Sequence, residues 1–138
     1  MIEENTLTSE EYYILIRSVG WKEPSKRLLE KSLKNSVTIK YIHENKTVGM
    51  MRLVTDYGYS GLILDVVVMP EYQKNGFGTK MINYLLDRIK ENLEDNEEIL
   101  IQLLAAPGKK GFYEKFGFKE KYSTAEAGMY TWLKKQCK

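Results

Sequence analysis

Leu62-Ile63-Leu64-Asp65-Val66-Val67-Val68-Met69-Pro70-Glu71-Tyr72-Gln73-Lys74-Asn75-Gly76-Phe77-Gly78-Thr79 joins a buried strand, a short polar loop and the start of a helix. The strand, Leu62 to Met69, is apolar except for Asp65, as expected of a central strand covered on both faces. Pro70 has no N–H to give a sheet, so the strand stops there. Two glycines then open a helix. Free N–H groups at a helix start point outward, the helix dipole favours negative charge, and glycine lets a ligand approach the backbone closely. Lys74 and Lys80 flank the turn and add the same sign. The segment reads as an anion site built from backbone.

Around it the chain falls into alternating elements. Thr8-Ser9-Glu10-Glu11 is a capping box, and Tyr12, Tyr13, Leu15, Ile16 and Val19 follow at helical spacing until Gly20. A second helix begins near Pro24 and carries Leu28, Leu29 and Leu33. Val37 to His43 and Val48 to Thr55 alternate as a strand pair about the turn Glu44-Asn45-Lys46. Beyond the glycines a helix is expected from Thr79 to about Leu93, with Met81, Ile82, Leu85, Leu86 and Ile89 inward. Ile99 to Ala105 reads as the next strand. A strand, a crossover helix and a strand imply a parallel pair. After Pro107-Gly108 a short helix holds Phe112, Tyr113 and Phe116, and Gly117 ends it. Phe118 to Lys121 and Met129 to Leu133 are expected as edge strands.

The 138 residues fit one domain, 1–138, with an ordinary globular composition. A net charge of +2 argues against nucleic acid or an anionic membrane as partner. No apolar run is long enough to span a bilayer, and no secretory signal is visible, so a cytoplasmic protein is expected. The lone Cys137 has no activating partner nearby, and the one histidine is His43. Two phosphate motifs are excluded. Met81 stands where a dinucleotide fold needs its third glycine. Gly78-Thr79-Lys80 lacks the Gly-Lys-Ser/Thr of a nucleoside-triphosphate loop.

Gln73-Lys74-Asn75-Gly76-Phe77-Gly78 resembles the acyl-CoA motif of the GCN5-related N-acetyltransferases, the GNAT family, whose pattern is Gln/Arg-x-x-Gly-x-Gly/Ala. Gly111-Phe112-Tyr113-Glu114-Lys115-Phe116-Gly117-Phe118 is similar to that family's second signature. The two span roughly residues 48 to 120. The resemblance implies an α/β fold: a mixed, mostly antiparallel central sheet with a splayed parallel strand pair and helices on both faces. It also implies acetyl-CoA as cosubstrate, no metal, and a small-molecule or peptide amine as acceptor; it leaves a homodimer open. The implied cofactor-binding residues are Val66, Val67 and Val68, by backbone pairing with the pantetheine arm, and Gln73, Lys74, Asn75, Gly76, Phe77, Gly78 and Thr79 around the pyrophosphate. The backbone N–H near Val67 would meet the developing oxyanion. Tyr113 matches the family's tyrosine that assists departure of the thiolate; the alternative for it is packing alone.

Acetyl transfer to an amine must also overcome protonation. An amine of pKa ~10.4 is held protonated at pH 7 by ~4.6 kcal/mol, so desolvation or a base is needed. The family's usual base positions are the apolar Leu62 and Leu64 here. Asp65 is the one ionisable residue on that strand and the candidate base. Alternation turns it to the face opposite Leu62 and Leu64 unless a bulge intervenes, which favours a structural carboxylate bound by backbone N–H groups. A water chain, or Glu126, is the other route for the proton. Trp21, Arg52 and Tyr130, with Tyr57 and Tyr59, are candidate acceptor contacts, and Arg52 would clamp a carboxylate. The competing reading is a non-catalytic acyl-CoA sensor or interaction module on the same fold.

Overall fold

The computed structural model describes residues 1–120 and 128–135. The chain divides into two compact units, Met1–Leu103 and Leu104–Lys138. In the first, five strands form one sheet: β1 (Ile2–Glu4), β2 (Val37–His43), β3 (Lys46–Thr55), β4 (Ser60–Val68) and β5 (Leu100–Leu103). They lie in sequence order, antiparallel except for the parallel β4–β5 pair. The helices are α1 (Ser9–Ser18), α2 (Lys26–Lys34) and α3 (Phe77–Glu91), with a 3-10 turn at Pro70–Tyr72. The second unit holds α4 (Lys110–Glu114).

Local chemistry explains the boundaries. Thr8 caps α1: its hydroxyl accepts from the Glu11 N–H at 3.1 Å, and Glu11 accepts from the Thr8 N–H at 3.0 Å. Gly20, at φ +73, follows the C-cap in the left-handed region that ends many helices. Glu44 and Asn45 both have positive φ, which suits the two-residue turn joining β2 to β3.

The side chains of adjacent strand residues point to opposite faces, and two of them show what covers each. Lys40 reaches the Glu11 carboxylate of α1 at 3.0 Å, while the Tyr41 ring stacks on Phe77 of α3 at 4.3 Å. Helices α1 and α3 therefore cover opposite faces. Pairing register carries Ile39, Met51, Leu53 and Ile63 to the α3 face, where buried Met81, Ile82 and Leu85 complete the core. Thr38, Met50 and Val67 fall on the α1 face with buried Tyr12, Leu15 and Ile16. Each such side chain contributes about 1.5–3 kcal/mol when fully buried. Helix α2 lies beside α1; the Tyr13 hydroxyl donates to the Pro24 carbonyl at 2.8 Å.

The mixed sheet, its parallel pair and the helices on both faces agree with the sequence expectation. Strand β1 was not anticipated. Residues 118–120 and 129–133, expected as parts of edge strands, carry no regular secondary structure. Lys121, Glu126 and Cys137 lie outside the described residues. No helix among the described residues is long and apolar enough to cross a membrane.

Candidate active site

Strands β4 and β5 pair only from Ser60↔Leu100 to Ile63↔Leu103. Strand β4 continues to Val68, so its last five residues present an edge that no strand among the described residues covers. The other edge stays paired with β3, but with a register shift. Arg52 faces Leu64, whereas Met50 faces Val67. Two residues of β4, Asp65 and Val66, thus stand opposite the single Met51. That is a β-bulge, and Asp65 at φ +55 is its left-handed residue. A non-glycine residue held there costs on the order of 1 kcal/mol, and Asp tolerates the region better than most.

The bulge corrects the expected pleat. Arg52, Met50 and Lys40 share the α1 face. The Arg52 Nε donates to Asp65 Oδ2 at 2.8 Å, so Asp65 lies on that face too, together with Leu62 and Leu64. Its anchor is the Arg52 side chain rather than a set of backbone N–H groups. The Tyr12 hydroxyl of α1 also meets it. Burial pushes the Tyr12 pKa well up, and the Asp65 charge and a hydrogen bond to it push the same way. Arg52 is thus tied to Asp65 through its Nε.

The bulge also decides which backbone groups face the open edge. Before it, the Tyr59 carbonyl accepts from Leu100, and Ser60 turns its carbonyl toward β3. Odd-numbered residues therefore face β5. After it, the Met69 N–H donates to Val48 of β3 at 2.9 Å, and the Val67 carbonyl lies against Gly49. Alternation then turns Val66 and Val68 outward and Val67 inward. The outward N–H groups belong to Val66 and Val68, the two neighbours of Val67.

The loop beyond β4 is held from within. Gln73 Nε2 donates to the Val68 carbonyl at 2.9 Å, and Asn75 Nδ2 donates to the carbonyls of Tyr72 and Gln73 at 3.0 and 3.3 Å. These side chains tie the loop to the end of β4 and leave backbone to face outward. Lys74 and Gly76 both have positive φ, and Gly76 at +79 is the N-cap of α3. A Cβ at Gly76 would meet nothing within 4 Å, so the space in front of the turn is open. The first α3 N–H to find a helical partner is that of Lys80, which donates to the Gly76 carbonyl. Those of Phe77, Gly78 and Thr79 precede it, with no side-chain cap and no acidic residue in the first turn. Helix α1 is built the opposite way, closed by its capping box and acidic in its first turn.

The family question is decided by a sequence match. The description Acetyltransferase (GNAT) domain fits residues 34–120. The chain belongs to the GNAT family. An uncharacterised N-acetyltransferase of Pyropia yezoensis, ycf52, is 34% identical over 109 residues, 75% of this chain and 60% of that protein. This GNAT chain thus spans about 60% of that relative's length. Among solved structures, protein SA2161 of meticillin-resistant Staphylococcus aureus superposes with a TM-score of 0.83 at 25% identity, covering 96% of this chain and 100% of the other. The GNAT family protein SP0256 of Streptococcus pneumoniae gives 0.76 at 28% identity, with 99% and 98% covered.

The remaining GNAT candidates belong to both units. In the second unit, Tyr113 on α4 is buried, edge-on to Phe112 and Phe118. Burial raises its pKa, so the hydroxyl keeps its proton at neutral pH. Tyr130 there is 87% exposed. In the first unit, Trp21 follows α1 and is 40% exposed, while Tyr57 and Tyr59 stand out from the β3–β4 loop. Tyr12 was missed by the sequence reading, where it counted only as one apolar position of α1.

Proposed function

We propose that this chain is an N-acetyltransferase that moves an acetyl group from acetyl-CoA to a primary amine of a small molecule or peptide. The observation that carries the reading is the run of outward backbone groups. It starts on the open edge of β4 and continues through the stapled loop to the uncapped N-terminus of α3. A peptide-like arm ending in a pyrophosphate fits such a run, because the edge offers strand-type hydrogen bonds and the helix end offers N–H groups and a positive dipole. Bound acetyl-CoA supplies an activated thioester.

The chain's own residues then have separate tasks. Val66 and Val68 give backbone pairing, and an outward N–H there stabilises charge developing on the thioester oxygen. Phe77, Gly78 and Thr79 hold phosphate oxygens through their N–H groups, with Lys74 and Lys80 adding positive charge. Tyr113 Oη, kept protonated by burial, gives its proton to the departing thiolate; this role rests on the match to the second family signature. Asp65 is occupied by Arg52, so solvent water takes the acceptor proton. Residues 1–138 form one functional GNAT domain, a reading supported by a family match that runs across both units.

The test is acetyl-CoA turnover over a panel of amines, read by thiol release. Release that depends on both partners supports the enzyme. Tight CoA binding with no turnover on any amine would point instead to a non-catalytic acyl-CoA sensor.

A further inference from the structure

We propose that Asp65 and Arg52 are a positioning pair: their ion pair pins the β4 bulge in place and thereby selects which backbone groups face the open edge. The consequence for catalysis rests on the acetyltransferase reading above; the pinning itself does not.

The argument starts from register. One extra residue in β4 reverses the parity of everything after it. With regular pleating from Ile63 onward, Asp65 and Val67 would turn their N–H groups outward. With the bulge at Asp65, Val66 and Val68 do so. Without a bulge, or with one placed after Val66, a different set turns outward, while the side chains on either side remain apolar. Leu64, Val66, Val67 and Val68 offer little to choose between these settings. Asp65 does. It is the residue in this run suited to a left-handed φ, and it occupies one at +55. Its carboxylate is held across the register shift by Arg52, which stands opposite Leu64 on the last pair before the bulge. Both side chains are largely buried, 16% exposed for Arg52 and 18% for Asp65, so water competes weakly for either. Tyr12 of α1 feels the same carboxylate, whose charge helps to raise its pKa.

The test compares the wild-type protein with Asp65→Ala and Asp65→Asn by amide hydrogen exchange and by steady-state kinetics. In the wild type the Val67 amide, bonded to β3, is protected, and the Val66 amide exchanges fast. Asp65→Ala removes both the pin and the residue that tolerates positive φ. Val67 protection should fall, and kcat should drop about tenfold to a hundredfold, the scale of a misplaced reacting geometry. The acetyl-CoA KM should change less, because the Gln73–Thr79 loop is untouched. Asp65→Asn keeps an oxygen acceptor for Arg52 and tolerates the same φ, so it should restore both Val67 protection and most of kcat. Asp65→Ala with unaltered exchange and unaltered kcat overturns the proposal. So does Asp65→Asn that keeps Val67 protection yet loses kcat as fully as Asp65→Ala, since that marks a base rather than a pin. If the wild type turns over no amine, the functional reading fails, and exchange alone then decides the pin. If Asp65→Ala does not fold, Arg52→Met takes its place. It keeps the aliphatic stem but removes the charge and the donor to Asp65, and it should lower Val67 protection; unchanged protection overturns the proposal.

Discussion

Gly76→Val isolates the anion site, because the structure separates the two ways such a change can act. No atom lies within 4 Å of the added Cβ, so the fold has room for it. The penalty comes from the backbone, since φ +79 is a region that L-residues enter at roughly 1–2 kcal/mol. For a chain of this size, each 1 kcal/mol lowers Tm by about 4 °C, so a loss of about 4–8 °C is expected if the turn holds its shape. If the turn relaxes, the strain is relieved at the expense of the aligned N–H groups of Phe77, Gly78 and Thr79. In either case a branched side chain enters the proposed pyrophosphate site. A loss of 1.4 kcal/mol is tenfold in Kd, and forfeiting one charge-assisted hydrogen bond is on that scale, so CoA binding should weaken at least about tenfold. Calorimetric titration with CoA, beside a melting curve, gives both numbers. A folded Gly76→Val protein with unchanged Kd refutes the site, whatever its Tm. A Tm within about 1 °C of wild type would refute the strain argument.

Three further outcomes follow. Tyr113→Phe should leave the acetyl-CoA KM nearly intact and lower kcat about a hundredfold; kcat equal to wild type removes the hydroxyl from the reaction. Gly61→Ala would bring a Cβ to 2.9 Å from Ile101 Cδ1 and 3.0 Å from Leu53 Cδ1. Both are flexible side-chain ends, so a loss of about 1 kcal/mol by denaturant melting is expected, and no loss would mean the β4–β5 contact is looser than described. Glu11 is partly buried, which disfavours its charge. Hydrogen bonds from Thr47, from the Thr8 backbone and from Lys40, with the Lys40 charge, outweigh burial and hold its pKa below the ordinary 4.5. A lowered acid stabilises the fold above its unfolded pKa, and that stability is lost as pH falls through the folded value. Glu11→Gln should therefore cost roughly 2 kcal/mol at pH 7, by leaving the buried Lys40 ammonium with only the more distant Glu3 carboxylate at 3.9 Å, and should flatten the acid limb of the stability profile. An unchanged acid limb would show that the pair is not linked to folding.

Most of the frame was readable because local chemistry and tertiary packing agree. The Thr8–Glu11 box, the Glu44-Asn45 turn and the α3 stripe of Met81, Ile82 and Leu85 each use residues suited to one local shape, and the sheet needs that same shape. Strand β1 was not readable. Three residues carry too little pattern, and Ile2–Glu4 is a strand because β2 offers it an edge. The loop glycines were legible for a different reason: positive φ at a helix start leaves glycine as the natural occupant, and Gly76 has it. The bulge was hidden. An Asp among valines signals something unusual in a strand, but alternation alone cannot show that one residue is surplus. That fact resides in the pairing of Arg52 with Leu64 and of Met50 with Val67, on another strand. The link from Arg52 to Asp65 was hidden for the same reason, since Asp65 reaches Arg52 only through the bulge.

The short β4–β5 pairing also bears on how the molecule assembles. Strands β2, β3 and β4 follow one another through a two-residue turn and one short loop, so their contacts close small loops and form early. The four paired residues of β5 can dock only after the chain has run through the 3-10 turn and the whole of α3, a closure with a much larger entropic cost. Helix α3 reaches β2, β3 and β4 before β5 is required, and it can consolidate the antiparallel strands while the parallel pair is still apart. The boundary of the open edge is then among the last native features to appear on folding. Substitutions at Gly61 or Ile101 should act mainly on the unfolding rate, whereas substitutions in the β2–β3 hairpin should slow folding itself.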